Sequence, residues 1–197
     1  MKTCLILDYG VGNVKSLSPF LRHRNYIVSY GKSKDEILST DLLLLPGVGS
    51  FKTASDNISV GMREVIKQRH NLHRPILGIC LGLQILYSES EEAETCKGIG
   101  IFLGKVERLK DFSRIGWDRV NVDKAEEISG KYFYFNHSYV VPNLPSTEIS
   151  FKSISGGYDS IVIQKKTVGV QFHPEKSQEA GSVFLKWIED KIWSMNA

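Results

Sequence analysis

The sequence predicts a three-layer α/β/α fold with a mostly parallel central sheet and an additional antiparallel, strand-rich second half. In the first half, short apolar runs alternate with helical segments. Strands that are apolar throughout and joined by helices belong to parallel sheets that are covered on both faces. From residue 99 to residue 172, strand-like segments follow one another without such helices. A chain of 197 residues can bury one core of this kind, and we expect a single domain over 1–197.

The individual elements follow in chain order from the same patterns. Four apolar runs in the first half predict buried strands, at Thr3–Leu7, Tyr26–Ser29, Leu42–Leu45 and Ile76–Ile79. The segments between them predict helices, at Val14–His23, Asp35–Ser39 and Val60–His70. The second half predicts six strands and one hairpin turn, at Gly104–Leu109, Arg119–Val122, Tyr132–Phe135, Glu148–Lys152, Gly156-Gly157 (the turn), Ser160–Gln164 and Val168–Phe172. An amphipathic helix is expected to close the chain, from about Gln178 to Trp193.

Composition and charge argue against several classes of protein. A net charge of +3 without a long basic run does not predict nucleic-acid binding. No apolar run approaches the roughly 18 residues of a membrane span, and the apolar stretch near the N-terminus is too short for a signal peptide. The three cysteines are odd in number and far apart, which indicates a reducing compartment rather than a disulfide framework. We therefore expect a soluble, cytoplasmic protein that binds neither nucleic acid nor membrane.

The sequence predicts no cofactor. The stretch from Gly10 to Lys15 follows the first strand and resembles a dinucleotide-binding turn, but Lys15 stands where the third glycine is needed. No pair of cysteines or histidines has the spacing of a zinc site. We expect neither a nucleotide nor a metal in the site.

The stretch Gly78-Ile79-Cys80-Leu81-Gly82 predicts a reactive cysteine. It continues the fourth apolar run, so the chain is expected to turn sharply from strand to helix at Cys80. A glycine two places to either side relieves the crowding around such a corner. The corner side chain lies at a helix N-terminus, whose partial positive charge favours the thiolate over the thiol. The alternative interpretation is a small apolar residue that fills a strand end.

His173 and Glu175 are the expected base and the carboxylate that orients it. Both follow the strand Val168–Phe172, and in an extended segment residues i and i+2 point the same way. Pro174 stiffens this spacing, and a carboxylate beside an imidazole holds its tautomer and stabilises its protonated form. A surface turn without a catalytic role is the alternative. Three other histidines are interpreted as solvated groups on polar helix surfaces: His23, His70 and His73.

The loop Pro46-Gly47-Val48-Gly49-Ser50 is the candidate source of oxyanion donors. It follows the third strand, and loops at the C-terminal ends of neighbouring parallel strands meet in one crevice. Glycine lets the backbone approach a substrate closely. A plain strand-to-helix turn is the competing interpretation.

Two of these motifs together resemble the class I, triad-type glutamine amidotransferases: Gly78-Ile79-Cys80-Leu81-Gly82-Leu83-Gln84 and Gly169-Val170-Gln171-Phe172-His173-Pro174-Glu175. Further segments resemble the HisH branch of that family, the glutaminase subunits of imidazole glycerol phosphate synthase. These segments are Asp8–Asn13, Pro46–Gly49, Ser88–Glu92, Gly116-Trp117 and His173–Ser177. The resemblance covers essentially the whole chain.

The resemblance implies a reaction and a site. Cys80 would attack the side-chain amide of L-glutamine, His173 would protonate the departing ammonia and then activate water, and Glu175 would orient His173. Backbone N–H groups of four residues would hold the oxyanion: Gly47, Val48, Gly49 and Leu81. Four residues would hold the glutamine: Gln84, His137, Ser138 and Tyr139. The ammonia would pass to a HisF-like (β/α)8-barrel cyclase subunit in a heterodimer, and four residues would lie near that partner: Asn13, Trp117, Tyr134 and Lys176.

The chain departs from the HisH pattern near this implied interface. Those proteins commonly have Pro-His-Met-Gly-Trp-Asn where this chain has the segment Ser113–Asp118, and Val where it has Asn136. Histidine biosynthesis is the favoured pathway, and HisH-like paralogs that supply ammonia for amidino groups of surface-polysaccharide sugars remain an alternative. Peptidases and γ-glutamyl hydrolases share the fold and a Cys–His pair, and a scaffold subunit without chemistry is the non-enzyme alternative.

Overall fold

The computed structural model of the protein describes residues 1–110, 113–122, 125–141, 149–152 and 158–194. Within these ranges the chain forms twelve strands. They are β1 (Lys2–Leu7), β2 (Tyr26–Gly31), β3 (Leu42–Leu45), β4 (Ile76–Ile79), β5 (Tyr87–Ser90), β6 (Phe102–Arg108), β7 (Arg114–Arg119), β8 (Tyr132–His137), β9 (Tyr139–Val140), β10 (Ile149–Lys152), β11 (Asp159–Gln164) and β12 (Thr167–Val170).

The central sheet has seven of these strands in the order β10-β11-β12-β4-β3-β1-β2. The strands from β12 to β2 run parallel to one another, whereas β11 and β10 extend the sheet beyond β12 through antiparallel pairs. Two smaller sheets accompany it: β5-β6-β9 and the antiparallel pair β7-β8. The predicted fold class is confirmed.

The helices cover both faces of the sheet. They are α1 (Val14–Arg22), α2 (Lys34–Ser39), α3 (Phe51–Asn57), α4 (Val60–Asn71), α5 (Leu81–Leu86) and α6 (Gln178–Trp187), with a 3₁₀ turn at Pro174–Lys176. Leu21 of α1 and Phe184 of α6 belong to the core on one face of the sheet, and Ile37, Ile66 and Leu83 of α2, α4 and α5 to the core on the other. No helix in the described ranges is both long and apolar enough to cross a membrane.

Several element predictions are confirmed with small changes in their ends, and one strand is wrong. The expected strand Arg119–Val122 is instead β7, which pairs antiparallel with β8 from Arg114↔His137 to Arg119↔Tyr132. Val120 and Val122, whose apolar character suggested the strand, are buried but lie past the end of this ladder. The chain there returns towards β8, since the Val120 N–H donates to Lys131 O and Gly130 donates to Val120 O.

Other differences concern short or terminal segments. Sequence patterns did not predict α3, β5 or β9, which span seven, four and two residues. The closing helix is confirmed, but it changes from α-helix to a π-helical turn over Ile188–Trp193. The expected hairpin turn Gly156-Gly157 and the first residue of the expected strand Glu148–Lys152 lie outside the described residues.

The register of the sheet brings three chain segments to one edge. β4 lies between β3 and β12, and Gly78 pairs with Leu45 while Ile79 pairs with Val170. Because the three strands are parallel and end together, the residues that follow them meet at the C-terminal edge of the sheet. This edge is where the loop after β3, the corner at Cys80 and the segment after β12 come together.

We predict that Gly82→Ala destabilises the fold. A Cβ atom at Gly82 would lie 2.0 Å from the Leu45 carbonyl oxygen, so α5 would have to move away from β3. Overpacking of this kind costs about 1–3 kcal/mol in the free energy of unfolding, which urea denaturation measures.

Gly61→Ala is the matched control for this substitution. Nothing lies within 4 Å of a Cβ atom at that position in α4, and Ala favours a helix over Gly by up to ~1 kcal/mol. The control should be as stable as the parent chain or slightly more stable. A Gly82→Ala variant that matches the parent would contradict the close approach of α5 to β3.

Candidate active site

Cys80 occupies a strained corner between β4 and α5. Its φ of 52° lies in the left-handed region, where an L-residue with a side chain is rarely found. The Cys80 N–H donates to Val170 O at 2.7 Å, so the corner is tied to the neighbouring strand. The close approach of Gly78 and Gly82 leaves no room for a side chain on either glycine, since a Cβ atom at Gly78 would lie 2.5 Å from Gly82 O.

His173 and Glu175 lie together after β12. The imidazole Nδ1 is 2.9 Å from Glu175 Oε1, and the two side chains are only 2% and 4% exposed. Because a carboxylate accepts hydrogen bonds, Nδ1 carries a proton and Nε2 is the free position of the neutral ring. The backbone N–H of His173 donates to Tyr134 O at 2.8 Å, which holds this segment against β8.

The charge state of His173 depends on both neighbours. Burial of the ring lowers the pKa of His173, but hydrogen bonding and charge from the Cys80 thiol and from Glu175 outweigh burial and raise it to about 9. Nε2 is buried and has no hydrogen bond of ordinary geometry among the described residues. Contacts between a nucleophile and its base are often long until a substrate binds. Because its pKa is raised to about 9, the His173 imidazole is protonated at neutral pH.

The sulfur of Cys80 has two further contacts. The Cys80 thiol donates a hydrogen bond to Asn136 O at 3.7 Å, and Gln171 Nε2 donates towards the sulfur at 3.6 Å. Cys80 is 6% exposed and Gln171 is completely buried. In the sequence Asn136 is a departure from the HisH pattern, and its backbone rather than its side chain makes this contact.

The loop after β3 packs directly against the corner. A Cβ atom at Gly47 would lie 1.7 Å from Ile79 O and 2.6 Å from Leu81 N, so only glycine fits there. The Val48 carbonyl accepts a hydrogen bond from Gly12 N–H at 3.0 Å, and the Tyr9 hydroxyl donates to Pro46 O. The expected oxyanion residues Gly47, Val48, Gly49 and Leu81 are thus grouped around the corner.

Three of the four residues expected to hold glutamine form one hydrogen-bonded group, namely Gln84, His137 and Tyr139. The Tyr139 carbonyl accepts from Gln84 Nε2 at 3.0 Å and from His137 Nδ1 at 2.9 Å. The Tyr158 hydroxyl lies 3.2 Å from His137 Nε2. Burial lowers the pKa of His137 to about 4, so this ring is neutral. Ser138 is exposed, and its carbonyl accepts from Leu109 N–H at 2.9 Å.

The expected partner residues form an exposed aromatic face beside the triad. Trp117 of β7 pairs with Tyr134 of β8, and their rings meet edge to face at 6.0 Å. Lys176 Nζ lies 5.5 Å from the centre of the Tyr134 ring. Asn13 is exposed at the start of α1, which contacts the 3₁₀ turn that contains Lys176. We call this surface the hairpin face, with Ile115, Trp117, Tyr132, Tyr134 and Lys176.

Comparison with known proteins identifies the family of this site. A profile of the family described as "Glutamine amidotransferase class-I" matches residues 5–190. The match includes the corner, the loop after β3 and the segment after β12. The chain belongs to the class-I glutamine amidotransferase family.

Individual relatives of this amidotransferase match over most of its length. The chain is similar to the imidazole glycerol phosphate synthase subunit HisH of Oceanobacillus iheyensis, with 35% identity over 197 residues that cover 95% of this chain and 98% of the relative. It is similar to imidazole glycerol phosphate synthase hisHF, chloroplastic, of Arabidopsis thaliana, with 36% identity over 201 residues that cover 95% of this chain but 34% of that protein. The solved structure of PurLQS from Thermotoga maritima shares the fold, with a TM-score of 0.77 at 17% identity over 96% of this chain and 99% of that chain.

Two departures from the HisH pattern compensate each other inside this amidotransferase. Arg114 and Asp118 form an ion pair with an N–O distance of 2.6 Å. Asp118 is buried, so the guanidinium supplies the partner that a buried carboxylate requires. Arg114 and Asp118 thus replace the usual residues together on the inner side of the Ser113–Asp118 segment. Trp117 remains on the hairpin face.

Sequence reasoning missed or misplaced other residues of the amidotransferase. His70 was expected on a solvated helix surface but is buried, with Nδ1 2.8 Å from Thr167 Oγ1, and burial lowers its pKa to about 4. The four-residue repeat of α4 turns His70 inwards beside Ile66. Sequence patterns assign no role to Gln171 or Tyr158, because the contacts of these side chains depend on tertiary structure. The GVQFHPE motif was the signal that could have marked Gln171.

We predict that His173 titrates near pH 9 when followed by NMR, and that Glu175→Gln and Cys80→Ala each lower its pKa. Each substitution removes a group that favours the imidazolium. Because the folded pKa lies above the usual 6.5, protonation of His173 stabilises the fold fully below pH 6.5, and this stabilisation is lost as pH rises through about 9.

His137 is the internal control in the same spectra. Its pKa stays well below its ordinary value in both variants, because burial sets it. A His173 titration near pH 6.5 in the parent chain would show that the thiol and the carboxylate do not act on this ring.

Proposed function

We propose that this chain is the glutaminase subunit of an imidazole glycerol phosphate synthase and hydrolyses L-glutamine to glutamate and ammonia through Cys80. The observation that carries the proposal is the buried His173–Glu175 pair facing a cysteine on a strained corner. Membership of the class-I glutamine amidotransferases and 35% identity to a HisH subunit support it. The ammonia serves histidine biosynthesis.

The first half of the reaction forms a thioester. The Cys80 sulfur attacks the side-chain amide carbon of glutamine, and the carbonyl oxygen becomes an oxyanion. The Leu81 N–H and the N–H groups of the Gly47–Gly49 loop are the donors that we assign to it, since a Cβ atom at Gly47 would lie 2.6 Å from Leu81 N. The imidazolium of His173 donates its Nε2 proton to the nitrogen, the C–N bond breaks and ammonia leaves.

The second half hydrolyses the thioester. Neutral His173 takes a proton from water at Nε2, and the hydroxide oxygen adds to the thioester carbon. The C–S bond then breaks, and the γ-carboxylic acid loses its proton to solvent and leaves as glutamate. The proton taken from water stays on His173, which restores the starting state. Glu175 holds Nδ1–H at 2.9 Å throughout, which keeps Nε2 turned towards the reacting atoms.

The group around Tyr139 binds the substrate in this proposal. Gln84 lies one helical turn after the nucleophile, with its N–H bonded to Cys80 O at 3.1 Å. His137 is neutral and holds the Tyr139 carbonyl, so it fixes the backbone of the segment rather than carrying charge. We assign the exposed residue Ser138 to contact with the α-amino and α-carboxyl groups of glutamine.

The hairpin face is the proposed docking surface for a (β/α)8-barrel cyclase. Ile115, Trp117 and Tyr132 are 65%, 48% and 56% exposed, and aromatic side chains dominate the energetics of protein interfaces. Tyr134 connects this face to the site, because its carbonyl accepts from His173 N–H. The Arabidopsis relative carries the matched region as 34% of one chain named as the synthase, which supports a second module working with this one.

Ammonia gives a chemical reason for this arrangement. In water at neutral pH it is mostly protonated and no longer nucleophilic. A docked partner that receives ammonia at the triad avoids this loss. We expect glutaminase activity to be low in the isolated chain and to rise when a loaded partner is bound.

We predict that Cys80→Ala abolishes ammonia release from glutamine, with a loss of about 10⁴-fold or more because the nucleophile is gone. A coupled glutamate assay in the presence of the barrel partner measures the rate, and the affinity for the partner should stay unchanged. Cys96→Ala is the matched control and should keep the parent rate. Surviving hydrolysis in Cys80→Ala would overturn the assignment of the nucleophile.

We predict that Trp117→Ala weakens binding to the barrel partner by roughly 2 kcal/mol, or about 30-fold in Kd, because a half-exposed indole is an anchor of the proposed interface. Isothermal titration calorimetry with the partner measures the affinity. Val60→Ala is the control. Val60 is 77% exposed and lies on α4, which packs on the face of the sheet opposite to β7 and β8. Equal affinities for the parent and Trp117→Ala would remove the hairpin face as the docking surface.

A further inference from the structure

Gln171 is a completely buried polar residue beside the nucleophile. It directly follows β12, and the pairing of Val170 with Ile79 places it opposite Cys80. Its backbone N–H donates to Ser160 O at 2.9 Å. A buried amide side chain without hydrogen bonds costs free energy, so a glutamine at this core position requires partners for its side chain.

The hydrogen-bond network fixes which end of the Gln171 amide faces the sulfur. The Tyr139 carbonyl can only accept, so the atom of Gln84 that lies 3.0 Å from it is the donor Nε2. Gln84 Nε2 also lies 3.4 Å from the Gln171 side chain, which must present its oxygen there. The Gln171 NH₂ group therefore faces Cys80 Sγ at 3.6 Å. The opposite orientation would bring two donors together.

We infer that the Gln171 side-chain amide stabilises the thiolate of Cys80 by donating a hydrogen bond to its sulfur. The inference rests on the proposed function, because it assigns a role in the same cysteine chemistry. A donor favours the charged sulfur over the neutral thiol, and the effect is larger where water is excluded. His173 takes the proton of the thiol, and Gln171 stabilises the charge that remains. Gln84 orients the donor, which links the sulfur to the segment proposed to bind glutamine.

Alkylation of Cys80 by iodoacetamide tests this inference without glutamine. The thiolate forms an S–C bond and iodide leaves, so the rate at each pH reports how much thiolate is present. The rate is followed by mass spectrometry of the peptide that contains Cys80. Gln171→Met keeps the length of the side chain without a donor, and we expect alkylation at neutral pH to fall about tenfold while the plateau at high pH is unchanged. Gln171→Glu places a carboxylate against the sulfur, and its profile should move further to high pH.

Gln164→Met is the matched control. Gln164 lies at the far end of β11, beside the turn that leads into β12, and its replacement should leave the alkylation profile of Cys80 unmoved. Profiles of Gln171→Met and Gln171→Glu that coincide with that of the parent would overturn the inference. A fall of the same size at all pH values would also overturn it, because such a fall reflects altered packing rather than loss of thiolate.

A second measurement uses the unmutated residue, in case both variants fail to fold. The side-chain NH₂ resonances of Gln171 should shift over the pH range in which alkylation of the parent accelerates, and should lose this shift in Cys80→Ala. Side-chain NH₂ resonances of Gln171 that do not shift over this pH range would overturn the inference.

The failure of this inference can be distinguished from the failure of the proposed function. If the parent chain and its barrel partner release no ammonia from glutamine while the alkylation profiles move as expected, the proposed function fails and the role of Gln171 stands. If glutamine is hydrolysed and the profiles coincide, the role of Gln171 fails alone.

Discussion

The pairing of β4 with β12 is the interaction on which the site depends. Ile79 pairs with Val170, and the Cys80 N–H continues this ladder by donating to Val170 O at 2.7 Å. The corner at Cys80 holds a φ of 52°, a conformation that costs on the order of 1–3 kcal/mol and persists only where the surroundings enforce it. A slip of one residue between the strands would turn the segment that leads to His173 towards the opposite face. Reactivity at the corner is therefore a property of the whole sheet.

Two buried histidines show that the same type of side chain can have its pKa shifted in opposite directions. His173 and His137 are both buried near the corner, yet the pKa of His173 is raised to about 9 and that of His137 is lowered to about 4. The difference comes from their partners, because His173 faces a carboxylate and a thiol, whereas His137 contacts a carbonyl and a hydroxyl. One ring can store a proton for the reaction, and the other fixes the backbone around Tyr139.

Local sequence patterns predicted the elements that have a clear hydrophobic pattern. They missed the elements and contacts whose positions are decided by tertiary packing. The apolar runs of β1, β3 and β4 and the glycines around Cys80 need no tertiary information, since their spacing alone indicates a parallel sheet and a sharp corner. The strand expected at Arg119–Val122 is misplaced, because two buried valines in a connection, Val120 and Val122, have the same spacing as one face of a strand. The sequence does not single out Gln171, because its importance comes from the neighbours that the register supplies: Cys80 at the corner after β4, and Gln84 on α5.

Trapping the covalent intermediate is the most direct test of the account. The chain, bound to its barrel partner, would be incubated with L-glutamine, quenched in acid and digested, and each cysteine peptide would be examined by mass spectrometry. The geometry of the corner predicts a γ-glutamyl thioester on Cys80, with Cys4 and Cys96 unmodified. Ammonia release without any adduct on Cys80, or with an adduct on another cysteine, would contradict the claim that the β4–α5 corner creates the nucleophile.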